Sequence, residues 1–397
     1  MSERQKNYLI IYLLFLSFFS VAFLYIKHEI GNDSTISEWL INYSGGFTKR
    51  GIIGQISIFF SKLFEIRLRD IIFCFQVLLV ATFFITFFIY VKKQYLERYF
   101  LLALFTPILL LYPVSEIEVL ARKEVFIFII FMIYFLIPNH KTNLIILSKI
   151  TIFPLSVLIW EPVIFFFPFL IFFDLINPKF KWKINNCFKE LLFYLPTLLI
   201  VCYFIFSPMS NAQHAQMEFT LKNDFNEICY MSCNLLNSKS SIIKQFQGNL
   251  RAYSIEVFIR YFLIIMIGFG PLFILLQNSK LKNRNLIFKW NLLSIFLVLL
   301  SPVLLLFAMM YDWGRIVNIS YTIAFLSFIY LLKNELIIIN FKKLSKGKLN
   351  QVSKSSFYFI FIIFSFSWSP KTVVSSDIGS FPIYRIPYKL IKIIFLN

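Results

Sequence analysis

Uncharged apolar runs of membrane-spanning length recur along this chain, and the polar residues between them are bunched into short connections. The first run, Tyr8 to Ile26, carries no charge at all. Runs of this kind occupy about 8–26, 70–91, 99–113, 125–138, 144–160, 163–177, 190–207, 257–277, 291–310, 316–332 and 356–369. The pattern predicts an all-α, polytopic integral membrane protein of about eleven (10–12) transmembrane helices. It reads as a single transmembrane domain over 1–397, with one large periplasmic loop at 208–256. Some runs, such as 125–138, are short enough to be tilted or re-entrant half-spans. The C-terminal "IYRIPYKLIKIIFL", with Arg385, Lys389 and Lys392 spaced along it, suits an interfacial helix better than a span.

Orientation follows from where Lys and Arg crowd. Segments such as "MSERQK", "KKQYLER", "NHKTN", "PKFKWKINNCFKE", "KLKNRNLIFK" and "KNELIIINFKKLSKGKLNQVSK" are dense in them, which places these and the N-terminus in the cytoplasm. The first run is too long for a signal-peptide core and lacks a small-x-small cleavage site, so it reads as a retained anchor. The less connector-like segments then share the outer face: 27–69, "SEIEVLARKE" at 115–124, "WEP" at 160–162, the 208–256 loop and "YDWGR" at 311–315.

Composition sharpens this picture without redirecting it. Of 397 residues 59% are hydrophobic and only 15% charged, against about 25% charged in a soluble domain. A net charge of +19 would suit nucleic acid, but no soluble basic domain is present to hold one; topology signals and anionic lipid account for it. Three histidines form no convincing metal site, and there is no Walker loop, G-x-S-x-G or dinucleotide fingerprint. "CYMSC" holds Cys229 and Cys233 four apart, as a local disulfide or as two unpaired thiols.

Four stretches could carry chemistry. In "NYSGGFTKRGIIGQI", Gly45 and Gly46 precede an amphipathic or re-entrant helix, and Lys49 with Arg50 would supplement its free N–H groups in holding phosphate; an ordinary turn with snorkelling cations is the alternative. In "EIEVLARKEVF", Glu118 and Arg122 can pair at a helix start, or Arg122 and Lys123 can line a substrate path. Glu161 in "LIWEPVIFFF" lies between apolar runs that would raise its pKa and suit it to acid–base work, unless the stretch is a plain interhelical turn. In "YDWGR", Asp312 can orient Arg315 toward a ligand while Gly314 leaves room for it; a capping ion pair is the bland counterpart. His214, Glu218, Asp224, Glu227, Arg251, Glu256 and Arg260 are further candidates in and beside the large loop.

Those four motifs, in that order, resemble the O-antigen polymerases (the Wzy class), bacterial inner-membrane proteins of surface-polysaccharide gene clusters. Relatives often carry a histidine before the glutamate of the third motif, where this chain has Trp160. The resemblance implies a metal-independent glycosyltransferase with no cofactor, working among membrane lipids on undecaprenyl-pyrophosphate-linked oligosaccharides. It would move a growing glycan onto an incoming repeat unit, with a chain-length regulator and a flippase as expected partners. On that reading Glu161 or Asp312 takes the acceptor's proton. Arg50, Arg122 and Arg315 converge on the pyrophosphate, with Arg315 stabilising the leaving group. Gly45, Gly46, Lys49, Lys123 and Arg251 complete the binding surface. Two rival classes remain. One is a GT-C type transferase using Asp33 or Glu38. The other is a flippase or transporter, which would carry its cations inside the spans.

Overall fold

The computed structural model describes residues 3–30, 34–94, 97–138, 141–176, 184–234, 236, 242–282 and 290–395. Among them seven helices are long and apolar enough to cross a membrane. They are α1 (Glu3–Lys27), α3 (Leu68–Val91), α4 (Arg98–Ser115), α6 (Thr142–Ile159), α11 (Ile255–Gln277), α12 (Leu292–Met309) and α13 (Trp313–Lys333). Shorter helices fill the rest: α2 (Gly51–Phe64), α5 (Glu124–Leu136), α7 (Phe167–Ile176), α8 (Ile184–Phe193), α9 (Leu195–Phe206), α10 (Asn211–Phe225), α14 (Lys354–Phe366) and α15 (Pro382–Phe395). Helices α9 and α10 meet at a 100° bend and supply an eighth span if they count as one. Among the described residues sheet is confined to two short pairs, β1 (Ser279–Leu281) with β2 (Ile337–Ile339) and β3 (Trp368–Ser369) with β4 (Gly379–Ser380). The architecture is all-α and multi-pass. The remaining apolar runs of the sequence are helical but shorter: Pro162 opens a 3₁₀ turn ahead of α7, Pro196 lies in the first turn of α9, and α5 and α14 have thirteen residues each. Asp33, and parts of "NHKTN", "PKFKWKINNCFKE" and "KLKNRNLIFK", lie outside the described residues.

Helix α13 is the hub, buried along nearly its whole length. Its polar residues mend a break in α4. Pro107 has no N–H for the carbonyl of Ala103, and the hydroxyl of Tyr321 donates to that oxygen at 2.6 Å instead. Asn318 donates to the carbonyls of Ile108 and Leu109 in the π-turn that follows. In a setting without water such substitutions are obligatory, since each orphaned backbone group costs several kcal/mol.

The loops sort cleanly to two ends. At one end, Ser34 donates to the carbonyl of Glu118, Trp39 to that of Ala121, and the amide of Ser232 to the hydroxyl of Ser37. The backbones of 311–314 and 372–374 bond there as well, and Lys389 of α15 reaches the carbonyl of Ser115. At the other end β1 pairs with β2, and Arg98 donates to the carbonyls of Leu349 and Val352. The segments singled out in the sequence therefore share one end, and the lysine-rich 334–352 stretch lies at the other.

Candidate functional site

Glu38 follows the short helical turn Ser34–Ser37 and is completely buried. Three arginines surround it, each from a different part of the chain. Arg122 Nε donates to its Oε2 at 3.0 Å, Arg50 Nη1 to its Oε1 at 3.4 Å, and Arg315 Nη2 stands 3.9 Å from Oε1. Two of the three are gripped by a second carboxylate in fork geometry. Arg50 donates to Glu161 at 2.7 and 2.8 Å, and Arg315 to Glu124 at 2.7 and 2.8 Å. Asp312 lies 3.6 Å from Arg122 and 3.7 Å from Arg315, and Lys49 lies 3.7 Å from Glu161. Lys123 is buried and donates to the carbonyl of Arg50. Five cations thus face four carboxylates, and the assembly opens to solvent only through Lys49, Asp312, Glu161 and the edge of Arg50.

Charge sets the ionisation of this group. Burial opposes the charged form of Glu38, but Arg122, Arg315 and Arg50 outweigh it and hold the carboxyl well below its usual range. Burial works against Glu161 too, and Arg50 and Lys49 overcome it to bring the pKa down to about 2. The apolar walls expected to raise the pKa of Glu161 are present, but its cationic partners win. Burial lowers Lys123 to about 7, the attraction of Glu38 only partly countering it.

Two backbone features mark the same spot. Arg50 and Ala121 sit in the left-handed region, at φ 63° and 53°, although neither is glycine. Such conformations cost about 1–3 kcal/mol each and persist where surrounding contacts enforce them. Here the Arg50 fork on Glu161, the Lys123 bond to the Arg50 carbonyl and the Trp39 bond to the Ala121 carbonyl do so. Trp160 lies beneath Arg315, ring centroid 6.0 Å from the guanidinium carbon, and its buried indole N–H has no acceptor among the described residues.

Of the residues expected from sequence, Lys49, Arg50, Arg122, Lys123, Glu161, Asp312 and Arg315 come together here. Arg251 does not: it is exposed after the helix at 242–250, and no bond among the described residues joins it to the cluster. Gly45 and Gly46 belong to packing. A Cβ on Gly45 would lie 1.9 Å from the carbonyl oxygen of Gln213, so the glycine lets α10 sit directly on the first segment. The space beside Gly314 is likewise filled, by the backbone of Lys371 at 2.0 Å from a hypothetical Cβ. The expected Glu118–Arg122 pair does not form, because Ala121 turns the chain and α5 begins only at Glu124; Glu118 pairs with Lys27 instead.

Sequence reasoning had no role for Glu124 and gave Glu38 only to the rival transferase. The usable signals are that Glu38 stands alone among uncharged neighbours and that Glu124 directly follows Arg122 and Lys123.

The other loop candidates are spread around this end. Glu227 grips Arg69, Asp224 pairs with Lys62 at 2.9 Å, and Arg260 donates to the carbonyl of Ser376. His214 packs against Cys229 and Cys233, which are joined as a disulfide and so offer no thiolate to a metal. His28, Glu29 and Asp70 form another small polar group near the end of α1. No protein-family model, curated protein or solved structure matches the chain.

Proposed function

We propose that this protein polymerises lipid-linked oligosaccharide repeat units, of O-antigen or a similar surface polysaccharide, at the outer face of a bacterial cytoplasmic membrane. The carrying observation is the convergence of Arg50, Arg122 and Arg315 on one carboxylate at one end of the bundle. A site for a polyanion needs such a focus of planar, permanently charged donors.

At rest the arginines are already paired, so a pyrophosphate enters by exchange. Lys49 and Arg50 are at the solvent edge, and the diphosphate of a lipid-linked glycan replaces Glu161 on the Arg50 fork. This exchange has a chemical consequence. While held by Arg50, Glu161 has a pKa of about 2 and is a poor base. Released from it beside the apolar surroundings of Trp160, it becomes basic enough to take a proton. The acceptor hydroxyl oxygen then attacks the anomeric carbon of the growing glycan and its proton passes to Glu161. The bond from that carbon to the pyrophosphate oxygen breaks, and its electron pair leaves with the lipid pyrophosphate. Arg50, Arg122 and Arg315 stabilise the charge that develops there. Asp312 holds Arg122 and Arg315 in position.

The rival transferase reading is weaker on a specific point. Glu38 is completely buried and shared by three arginines, out of reach of an acceptor hydroxyl, whereas Glu161 stands at the solvent edge. Asp33 lies outside the described residues. A transporter would need an open cationic path through the spans. Lys149, buried within α6, is instead bonded to Asp174 and Glu190 at 2.8 and 2.6 Å.

The test is deletion of the gene followed by gel analysis of lipopolysaccharide. The expected outcome is loss of the ladder with a single repeat unit retained on the lipid core. Disappearance of all repeat units points to an earlier transferase or flippase step. Complementation with Arg50→Ala or Arg315→Ala is expected to give the same single-unit pattern with the protein present in the membrane; normal ladders from both sink the site.

A further inference from the structure

A groove of about 450 Å³ lies between α2, α3 and α5, lined by Ile53, Phe60, Leu79, Thr82, Phe126 and Ile129 among others. Every lining side chain but Thr82 is apolar. Its walls grow from the same two helix starts that build the charged cluster. Ile53 is three residues beyond Arg50, and Phe126 two beyond Glu124, the partner of Arg315. On α5 the lining begins in the first turn. On α3 it runs to Thr82, fourteen residues in, which at 1.5 Å per residue is about 21 Å along the helix. Arg69 and Asp70 mark head-group level on α3. Thr82 lies eleven residues past Ile71, about 17 Å into a hydrocarbon core about 30 Å thick, so the groove descends from beneath the cluster to about the bilayer middle. Helix α2 forms its flank, with both ends held at the cluster's side of the protein: Arg50 on Glu161 at the start, Lys62 on Asp224 near the finish. That helix can lie in one leaflet as a roof without crossing the membrane.

We propose that this groove seats the polyisoprenoid chain of the lipid-linked glycan whose pyrophosphate is held by Arg50. The inference rests on the head-group reading above and adds where the lipid lies. A single molecule with an anionic diphosphate and a long hydrocarbon chain satisfies both surfaces at once. A water-soluble sugar phosphate leaves the groove unused, and a bulk phospholipid has no diphosphate for the exchange with Glu161. Seating the chain between α2 and α5 also ties its binding to the position of Arg50 and Glu124, because both sit at the first turns of those helices. The lipid chain therefore positions the head group rather than merely anchoring it.

The test uses the full-length protein in nanodiscs, with undecaprenyl pyrophosphate and geranyl pyrophosphate as probes read by native mass spectrometry. The wild type is expected to retain the long-chain probe about tenfold more tightly than the short one. Leu79→Trp and Thr82→Trp fill the groove and abolish that preference. Leu14→Trp, exposed on α1 and outside the groove lining, keeps it and controls for an added lipid-facing tryptophan. Binding of geranyl pyrophosphate by the filled variants shows that they are folded. A full chain-length preference in both filled variants overturns the tail seat and leaves the head-group reading standing. If the wild type instead holds undecaprenol as tightly as undecaprenyl pyrophosphate, and Arg50→Ala changes neither, the head-group reading is the one that fails. A phospholipid carrying a diazirine in its acyl chain supplies the remaining arm. Labelling of Phe126 and Ile129 that undecaprenyl pyrophosphate does not compete away assigns the groove to bulk lipid and overturns the proposal.

Discussion

Burying Glu38 beside Arg50, Arg122 and Arg315 is tolerable because its charge meets all three guanidinium groups. Removing the shared carboxylate leaves the buried Arg122 with only Asp312, 3.6 Å away, and takes the central anion from between Arg50 and Arg315. Glu38→Gln is therefore expected to cost about 3–5 kcal/mol, seen as a large fall in the thermal midpoint of the detergent-solubilised protein. Asp312→Asn, at the solvent edge, should shift it far less. Equal melting of the two variants would show that Glu38 is not the shared anchor. Lys123 makes a prediction of the opposite kind. Its folded pKa of about 7 lies below the ordinary 10.5, so between those values the unfolded chain binds a proton that the native protein does not. Stability must then rise with pH across that window, and the destabilisation is fully present below about pH 7. Lys123→Met should flatten this rise in melts taken from about pH 7 to 10; an unchanged slope would mean that Lys123 is not the titrating group.

At the level of elements, the site depends on how closely α2 and α10 approach the first segment. Gly54 sits on α2 where a Cβ would meet the carbonyl oxygens of Ile41 and Trp39 at 2.0 and 2.7 Å. Gly54→Ala must push the helix away from the turn that presents Glu38, at a cost of about 1–3 kcal/mol for overpacking. Since Arg50 caps the same helix, the expected result is a shortened glycan ladder although no charged residue has changed. A normal ladder together with unaltered hydrogen exchange over 38–54 would show that the packing is less tight than described. Neither Gly45 nor Gly54 is legible as a packing residue in the sequence. "SGGFTKRG" looks like a phosphate loop because glycine next to a cation serves both purposes, and only the position of Gln213 tells them apart. The Glu118–Arg122 pair failed for a related reason. Helical spacing was assumed across a stretch that Ala121 bends out of the helix.

For the whole molecule, the decisive feature is the segregation of loops. The charged cluster and α15 are at one end, and β1–β2 with 340–352 at the other. If the cluster faces the periplasm, a membrane-impermeant maleimide should label Lys49→Cys in intact cells and Lys280→Cys only after the membrane is opened. Both would be placed on a background lacking Cys74, Cys187 and Cys202. The reverse pattern would invert the topology and remove the proposed function with it. Lys49 is suitable because its side chain is 45% exposed.

Sequence alone was enough for the class of the protein and for which end of it to look at. Apolar runs of spanning length admit few structures other than membrane helices, because backbone hydrogen bonds must close within each run. The alternation of those runs then carries 27–69, 115–124, 160–162 and 311–315 to a common face. It was also enough to select Arg50, Arg122 and Arg315, since charge beside hydrocarbon is rare and costly. Only the tertiary structure decided who pairs with whom. Glu38 is shared by three arginines, Glu124 reaches across 191 residues to Arg315, and Arg50 takes Glu161 from 111 residues away. Such pairings depend on the packing of α13 against α4 and α5. Local spacing carries no record of which helices become neighbours, and side-chain forks find partners in space, not along the chain.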